Sequence, residues 1–244
     1  MALNFEDIGK MVALVGKKTL FLNDKPVEDG VNEFKTKGDV VIQQIPDKNT
    51  ERSVLYVTGM SGSGKSVYSK AYIEQYHKMF PKNEVFIFSS LSEDATLDKL
   101  KYMKRIKIKE QPFLTAELDT ADFAKSICLF DDCDVISNKQ IKLKVFTLLN
   151  AFLETGRHFN ISVLFTSHNA TLGNDTKKIL NECHSITLFP RNLGGKTSKY
   201  LLDNYLGLDP GQIRRIKTCP SRWVTVLKTY PQICLSEKES WVIN

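Results

Sequence analysis

No two of the five cysteines, Cys128, Cys133, Cys183, Cys219 and Cys234, form a C-x-x-C pair. That spacing excludes a zinc ribbon and a thioredoxin-like redox centre. Scattered in this way, they read as reduced and mostly buried thiols of a cytosolic protein. No apolar run reaches the roughly 18 residues a membrane span needs. The opening MALNFEDIGKMVALVGKK carries acids ahead of its short apolar piece, unlike a secretory leader. A soluble intracellular protein is the expectation. Internal repeats and low-complexity tracts are also missing. With 42% hydrophobic and 25% charged residues, a chain of 244 is expected to fold, as one large α/β domain or one domain with a small appendage. The charge is only mildly biased, at +6, which permits a polyanionic partner without requiring one. Most of the local excess lies in KYMKRIKIK (101–109), NKQIKLK (138–144) and RRIK (214–217).

Residues 11–45 hold β-like pieces, TLFLN and VVIQQI, separated by turn-rich NDKPVEDG and KTKGD. They predict a small strand-rich lead-in over residues 1–50. From 51 to 244 the rhythm changes. VLYVTG, VFIFSS, ICLFDD, ISVLFTS and SITLFP alternate with KSVYSKAYIEQYHKMF and IKLKVFTLLNAFLETG. This is the pattern of a mainly parallel sheet with helices on both faces. Gly156 is expected to end the long helix. Asp209 is expected to cap a helix beginning at Pro210, and RWVTVLKT to add a terminal strand.

GMSGSGKS matches G-x-x-x-x-G-K-[ST] at Gly59, Gly64, Lys65 and Ser66. Glycines let a backbone turn tightly and aim its N–H groups at phosphate, and the helix that follows adds its dipole. The apolar strand before the loop and the helix after it give the match its context. The nucleotide-binding run is therefore Gly59, Met60, Ser61, Gly62, Ser63, Gly64, Lys65, Ser66 and Val67. Lys65 would reach the β- and γ-phosphates, and Ser66 would ligate Mg2+.

SICLFDDCD supplies the acids such a loop requires. Ile127–Phe130 form a buried parallel strand, which delivers Asp131 and Asp132 to the sheet edge where ligands bind. Asp131 is the candidate metal ligand and Asp132 the group that polarises the attacking water. Asp134 reads as a loop acid. Further on, ETGRHFNISVLFTSHN puts Arg157 just before a strand and ends that strand on Ser167, His168 and Asn169, any of which could sense a γ-phosphate. Arg157 could reach a neighbouring subunit's nucleotide or could complement a helix dipole. His168 could equally be a hydrogen-bonded loop residue.

The set GMSGSGKS, ICLFDD, RHFNISVLFTSHN and SITLFPRN, in this order and spacing, resembles the FtsK–HerA superfamily of RecA-like P-loop ATPases. Within it, the resemblance is to the poxvirus-type genome-packaging ATPases of large DNA viruses, virophages and relatives with double-jelly-roll capsids. It covers roughly residues 50–195. The resemblance implies ATP hydrolysis with Mg2+ at Lys65, Ser66, Asp131 and Asp132, with Arg157 as arginine finger. It also implies His168 where relatives usually carry glutamine. The implied protein is a ring-shaped homo-oligomer that drives double-stranded DNA, without sequence preference, into a preformed capsid and docks on a capsid or vertex protein. The implied location is the host cytoplasm or viral factory, with the virion as a further site. RNLGGKTSK (191–199) is a candidate DNA-facing or interface loop, or simply a mobile surface loop.

Two other classes share the phosphate loop. A small-molecule or nucleotide kinase would need an arginine-rich lid, and no clear arginine cluster lies between the loop and the acidic strand. A nucleotide-gated assembly factor would tolerate a dead site, yet the lysine and both acids are present.

Overall fold

The computed structural model describes residues 2–50, 52–192 and 195–243. The lead-in contains β1 (Leu3–Asn4), β2 (Lys10–Val15), β3 (Lys18–Leu22), β4 (Glu33–Lys35) and β5 (Ile42–Gln44). Four of these make a small antiparallel sheet in the order β1-β3-β2-β5. The phosphate loop then follows β6 (Val54–Thr58) and opens α1 (Lys65–Met79). After α1 come β7 (Glu84–Ser89), β8 (Met103–Lys107), the short α2 (Gln111–Thr115), β9 (Ser126–Asp131), α3 (Lys139–Thr155), β10 (Ile161–Ser167), α4 (Asn174–Glu182) and β11 (Ser185–Leu188). Short α5 (Gly195–Tyr200), α6 (Pro210–Thr218), β12 (Val224–Leu227), β13 (Ile233–Ser236) and β14 (Glu239–Val242) complete the chain.

Six of these strands run parallel in the order β11-β6-β10-β9-β7-β8. They read as continuous apolar runs because both faces are covered. On one face Leu55, Val57, Ile127 and Leu129 pack against Tyr68, Tyr72, Ile73 and Tyr76 of α1. On the other, Tyr56, Cys128, Phe130 and Phe165 meet Val145, Leu148, Leu149 and Phe152 of α3. β8 is the sheet's exposed edge, and the basic cluster at 101–109 lies on it. Lys104 pairs with Glu84 at 2.8 Å and Lys107 with Glu110 at 3.0 Å, the charged protection such an edge needs. All five cysteines are free and buried.

The chain ends build against each other. Beyond β11 the sheet continues antiparallel through β12, β13 and β14 and closes on β4 of the lead-in. The small sheet packs Val12, Ala13, Leu20 and Ile42 on Leu227, Ile233 and Leu235. The terminal β segment expected at RWVTVLKT forms as β12, and two further strands follow it. The two extra strands are four residues each, and their pairing with each other and with β4 gives them a shape that local pattern does not.

Of two expected helix boundaries, one forms as read and the other is extended. Asp209 caps α6 as read, accepting from Gly211 N–H (2.7 Å) and Gln212 N–H (2.9 Å) in a capping box. Gly156 ends α3 but keeps helical backbone, and a 3-10 turn carries on to Phe159. The reversal into β10 is made by Asn160 at φ +54°, a residue type that tolerates the left-handed region.

Candidate nucleotide site

β6 is buried along its length, and the chain leaves it still tied to its neighbour, with the Gly59 N–H donating to the Ser167 carbonyl at 3.1 Å. Space at this exit is tight. A Cβ on Gly59 would lie 2.6 Å from Ser63 Oγ and 2.7 Å from the Phe189 ring, so glycine is required. Gly62 (φ +75°) and Gly64 (φ +112°) turn the loop back in the left-handed region, and α1 starts at Lys65. No side chain caps that first turn, so its orphan N–H groups and dipole are available to an anion. Met60, Ser61 and Val67 are exposed around it, with Ser63 half-buried.

The Lys65 ammonium is buried, which demands partners. It donates to the Gly59 carbonyl at 3.0 Å and lies 3.4 Å from Asp132 Oδ1. Successive strand residues point to opposite faces, so Asp131 and Asp132 would normally diverge. Asp132 instead adopts left-handed backbone (φ 48°, ψ 36°), and both carboxylates come to Thr166. Thr166 Oγ1 is 3.1 Å from Asp131 Oδ1 and 3.1 Å from Asp132 Oδ1, and it accepts from the Asp132 N–H at 2.8 Å. His168 Nε2 approaches Asp132 Oδ2 at 2.8 Å. One carboxylate thereby contacts a lysine and a threonine through Oδ1 and a histidine through Oδ2.

Asp131 is almost fully buried, with Ser89 donating to its Oδ2 at 3.3 Å. Burial pushes its carboxyl up to about 6. The charges of Asp132 and Asp94 add to this, and the hydrogen bonds from Thr166 and Ser89 oppose it.

Four contributors escaped the sequence reading. Thr166 was hidden inside an apolar strand. Ser89 ends the neighbouring strand. Asp94, in the loop after β7, accepts from Ser66 Oγ at 3.3 Å while its other oxygen caps the turn at Thr96 and Leu97. Asp134, read as a loop acid, is buried and accepts from Ser167 Oγ (2.8 Å) and the His168 N–H (3.1 Å). It therefore holds the tip of β10 that carries His168. The one local signal was its spacing, a third acid in DDCD.

Ser66, whose Oγ donates to Asp94, and Asp131 offer oxygen donors of the kind a hard cation takes, and the repulsion that Asp132 and Asp94 exert on Asp131 is what a cation would relieve. Among the described residues no three His, Cys, Asp or Glu side chains could hold a metal unaided.

Arg157 is not brought to this cluster. It is exposed in the turn before β10, at the opposite end of a seven-residue strand, about 20 Å away at 3.3 Å per residue. The capping role open to it is filled by Arg52, which donates to the carbonyls of Phe152 (3.0 Å), Leu153 (3.2 Å) and Ile161 (3.1 Å). Of the loop 191–199, Leu193 and Gly194 lie outside the described residues. Arg191, Lys196 and Lys199 are exposed just past β11, and Arg191 shares with His168 a cavity of 440 Å³. Among the described residues, no helix is long and apolar enough to cross a membrane.

No family model matches the chain. It is 41% identical over 211 residues to the uncharacterized protein V3 of the Sputnik virophage, covering 82% of this chain and 84% of that protein. Among solved structures it is similar to the genome packaging NTPase B204 from Sulfolobus turreted icosahedral virus 2 in complex with ATP-gammaS. The TM-score there is 0.52 at 13% identity, over 76% of this chain and 97% of that one. B204, the DNA-packaging ATPase from Sulfolobus turreted icosahedral virus, gives 0.51 at 13% identity, over 75% and 97%. The cytoplasmic domain of the Thermomonospora curvata type VII secretion ATPase EccC gives 0.52 at 13% identity, over 93% of this chain and 28% of that one. The chain belongs to the family of the Sputnik virophage protein V3, and its fold is the RecA-like P-loop fold that viral genome-packaging NTPases share with FtsK–HerA-type ATPases.

Proposed function

We propose that the chain is an ATPase whose hydrolysis drives double-stranded DNA, without sequence preference, into a preformed viral capsid. Residues 51–244 act as the ATPase domain and 1–50 as the lead-in packed on it. The observation that carries the reading is the Asp132 carboxylate gripped by Lys65 and His168 above Thr166. A carboxylate held in one orientation beside a phosphate loop is placed to accept a proton from water as that water attacks the γ-phosphorus and the bond to the β-phosphate oxygen breaks. His168 orients Asp132 and, of Ser167, His168 and Asn169, is the γ-phosphate sensor. Lys65 neutralises charge on the phosphates. Ser66 and Asp131 would hold Mg2+, which would supply positive charge against the charge that develops on the phosphates.

Arg157, exposed and without an ion pair or hydrogen bond from its guanidinium to another described residue, is the finger that completes a neighbouring subunit's site in a ring. Arg191, Lys196 and Lys199 supply phosphate contacts to DNA. A capsid or vertex protein is the docking partner, in the host cytoplasm or viral factory. B204's description as a genome-packaging NTPase supports this reading.

The test is steady-state ATP turnover with and without double-stranded DNA. Turnover stimulated by DNA and reduced about 10²–10³-fold in Lys65→Ala is expected. Phosphoryl transfer to a small acceptor with no DNA effect would sink the proposal.

A further inference from the structure

The two chain ends meet α1 beside the phosphate loop and enclose a cavity of 140 Å³, several times the roughly 30 Å³ a water takes in the liquid. Ser63 and Gly64 belong both to the phosphate loop and to the cavity wall, so a ligand with phosphates on the loop enters it without leaving the surface. The far walls come from the lead-in, at Val41 and Gln43, and from the C-terminal segment, at Arg222, Trp223 and Glu237.

Its chemistry is that of a slot for a flat ring. The Tyr68 and Trp223 rings meet edge to face at 5.1 Å, and Tyr72 and Phe189 extend the apolar lining. At the mouth Val67 is 51% exposed and Val41 47%, apolar surface that an occupant would cover. The polar groups are few and fixed, as in small-molecule pockets. Glu237 Oε2 accepts from the Arg222 N–H (2.7 Å) and Ser221 Oγ (3.2 Å), and Gln43 is anchored by donating to the Ala71 carbonyl at 2.7 Å. Ser63 Oγ, at the phosphate end, is buried with no hydrogen-bond partner among the described residues. The Arg222 guanidinium lies 3.8 Å from where a Cβ on Gly64 would sit, a cation at the junction of cavity and loop.

We propose that this cavity takes the heteroaromatic base of the nucleoside triphosphate, so that base recognition is the work of the two chain ends rather than of the parallel core. The inference rests on residues 59–66 being the triphosphate site. Occupation would clamp β5, α1 and the segment before β12 together.

The experiment compares binding of ATP and of inorganic tripolyphosphate to the full chain. It uses the wild type and two rim variants at an exposed lead-in position, Val41→Trp and Val41→Phe, which fill the mouth without disturbing the core. Wild type is expected to bind ATP about tenfold or more tighter than tripolyphosphate, the scale of stacking one base on aromatic side chains. Each variant should erase most of that difference while leaving tripolyphosphate binding intact. Equal wild-type affinities, or variants that leave ATP binding unchanged or weaken both ligands alike, overturn the base pocket alone, provided Lys65→Ala still weakens tripolyphosphate. Tripolyphosphate binding that ignores Lys65→Ala overturns the phosphate site, and the pocket with it.

Discussion

At their C-terminal ends β6, β9 and β10 gather Lys65, Asp131, Asp132, Thr166 and His168 into one hydrogen-bonded cluster. At their N-terminal ends the polar side chains bond to backbone instead. Arg52 holds three carbonyls across α3 and β10, and His184 Nδ1 accepts from the Val54 N–H at 3.2 Å. Burial and the cations Lys10, Arg52 and Lys228 push the His184 imidazole down to about 4, so it stays neutral and fixed in that role at pH 7. The contrast teaches where chemistry is possible. Side chains bonded to backbone make a rigid seam. Charges coupled to charges, one of them an acid lifted to about 6, make a site that a ligand or a proton can retune.

The sharpest way to break this division is Arg157, which stands exposed at the rigid edge with no hydrogen bond or ion pair from its guanidinium to another described residue. Arg157→Ala should cost about 10³-fold in turnover, as for arginine fingers, with no more than about 0.5 kcal/mol of stability. Mixing it with Asp132→Asn subunits should restore part of the activity, read as turnover against mixing ratio. No rescue at any ratio removes the finger acting in trans.

Asp131→Asn probes the retunable edge. A carboxyl raised from 3.8 to about 6 by folding opposes folding when ionised, so its cost is present above pH 6 and fades as pH falls through 6 towards 4. The variant should therefore be more stable than wild type at pH 7 to 8, by up to about 3 kcal/mol at 1.36 kcal/mol per pH unit. The gain should close near pH 4 in thermal melts without nucleotide. A gain independent of pH would show that ionisation is not its source.

Asp134→Ala should lower kcat about 10- to 100-fold, the usual loss for a residue that orients another, with little change in KM for ATP. Asp134→Asn keeps an acceptor for Ser167 and the His168 N–H and should recover most of the rate. Equal losses in both would mean that the charge matters rather than the positioning. The smallest effect is expected at Arg52→Ala: about 1.5 kcal/mol lower stability in denaturant, with turnover per folded molecule unchanged.

Legibility followed the range of the forces involved. The phosphate loop could be read because its glycines answer to local backbone geometry, at Gly59, Gly62 and Gly64. The acidic strand could be read because four apolar residues followed by two acids already describe a buried strand reaching an edge. Thr166, Ser89 and Asp94 had no comparable mark, since a threonine or serine ending a strand looks the same whether or not an aspartate waits on the next one. For β14 the shape comes from β4, some 200 residues earlier in the chain.

By itself, the sequence determined the parallel core and the sheet edge at which the glycine-rich loop with Lys65 and Ser66 meets the two acids Asp131 and Asp132. These follow from periodicity and backbone sterics, which act over a few residues. Only the tertiary structure decided that Asp132 turns into the left-handed region to share Thr166 with Asp131, that His168 reaches it, and that Asp134 holds His168 in place. It also decided that residues 41–44 of the lead-in and Arg222, Trp223 and Glu237 of the C-terminal segment meet beside the phosphate loop. Hydrogen bonds between strands form at a few ångströms in space and at any distance along the chain, so only the folded sheet sets them.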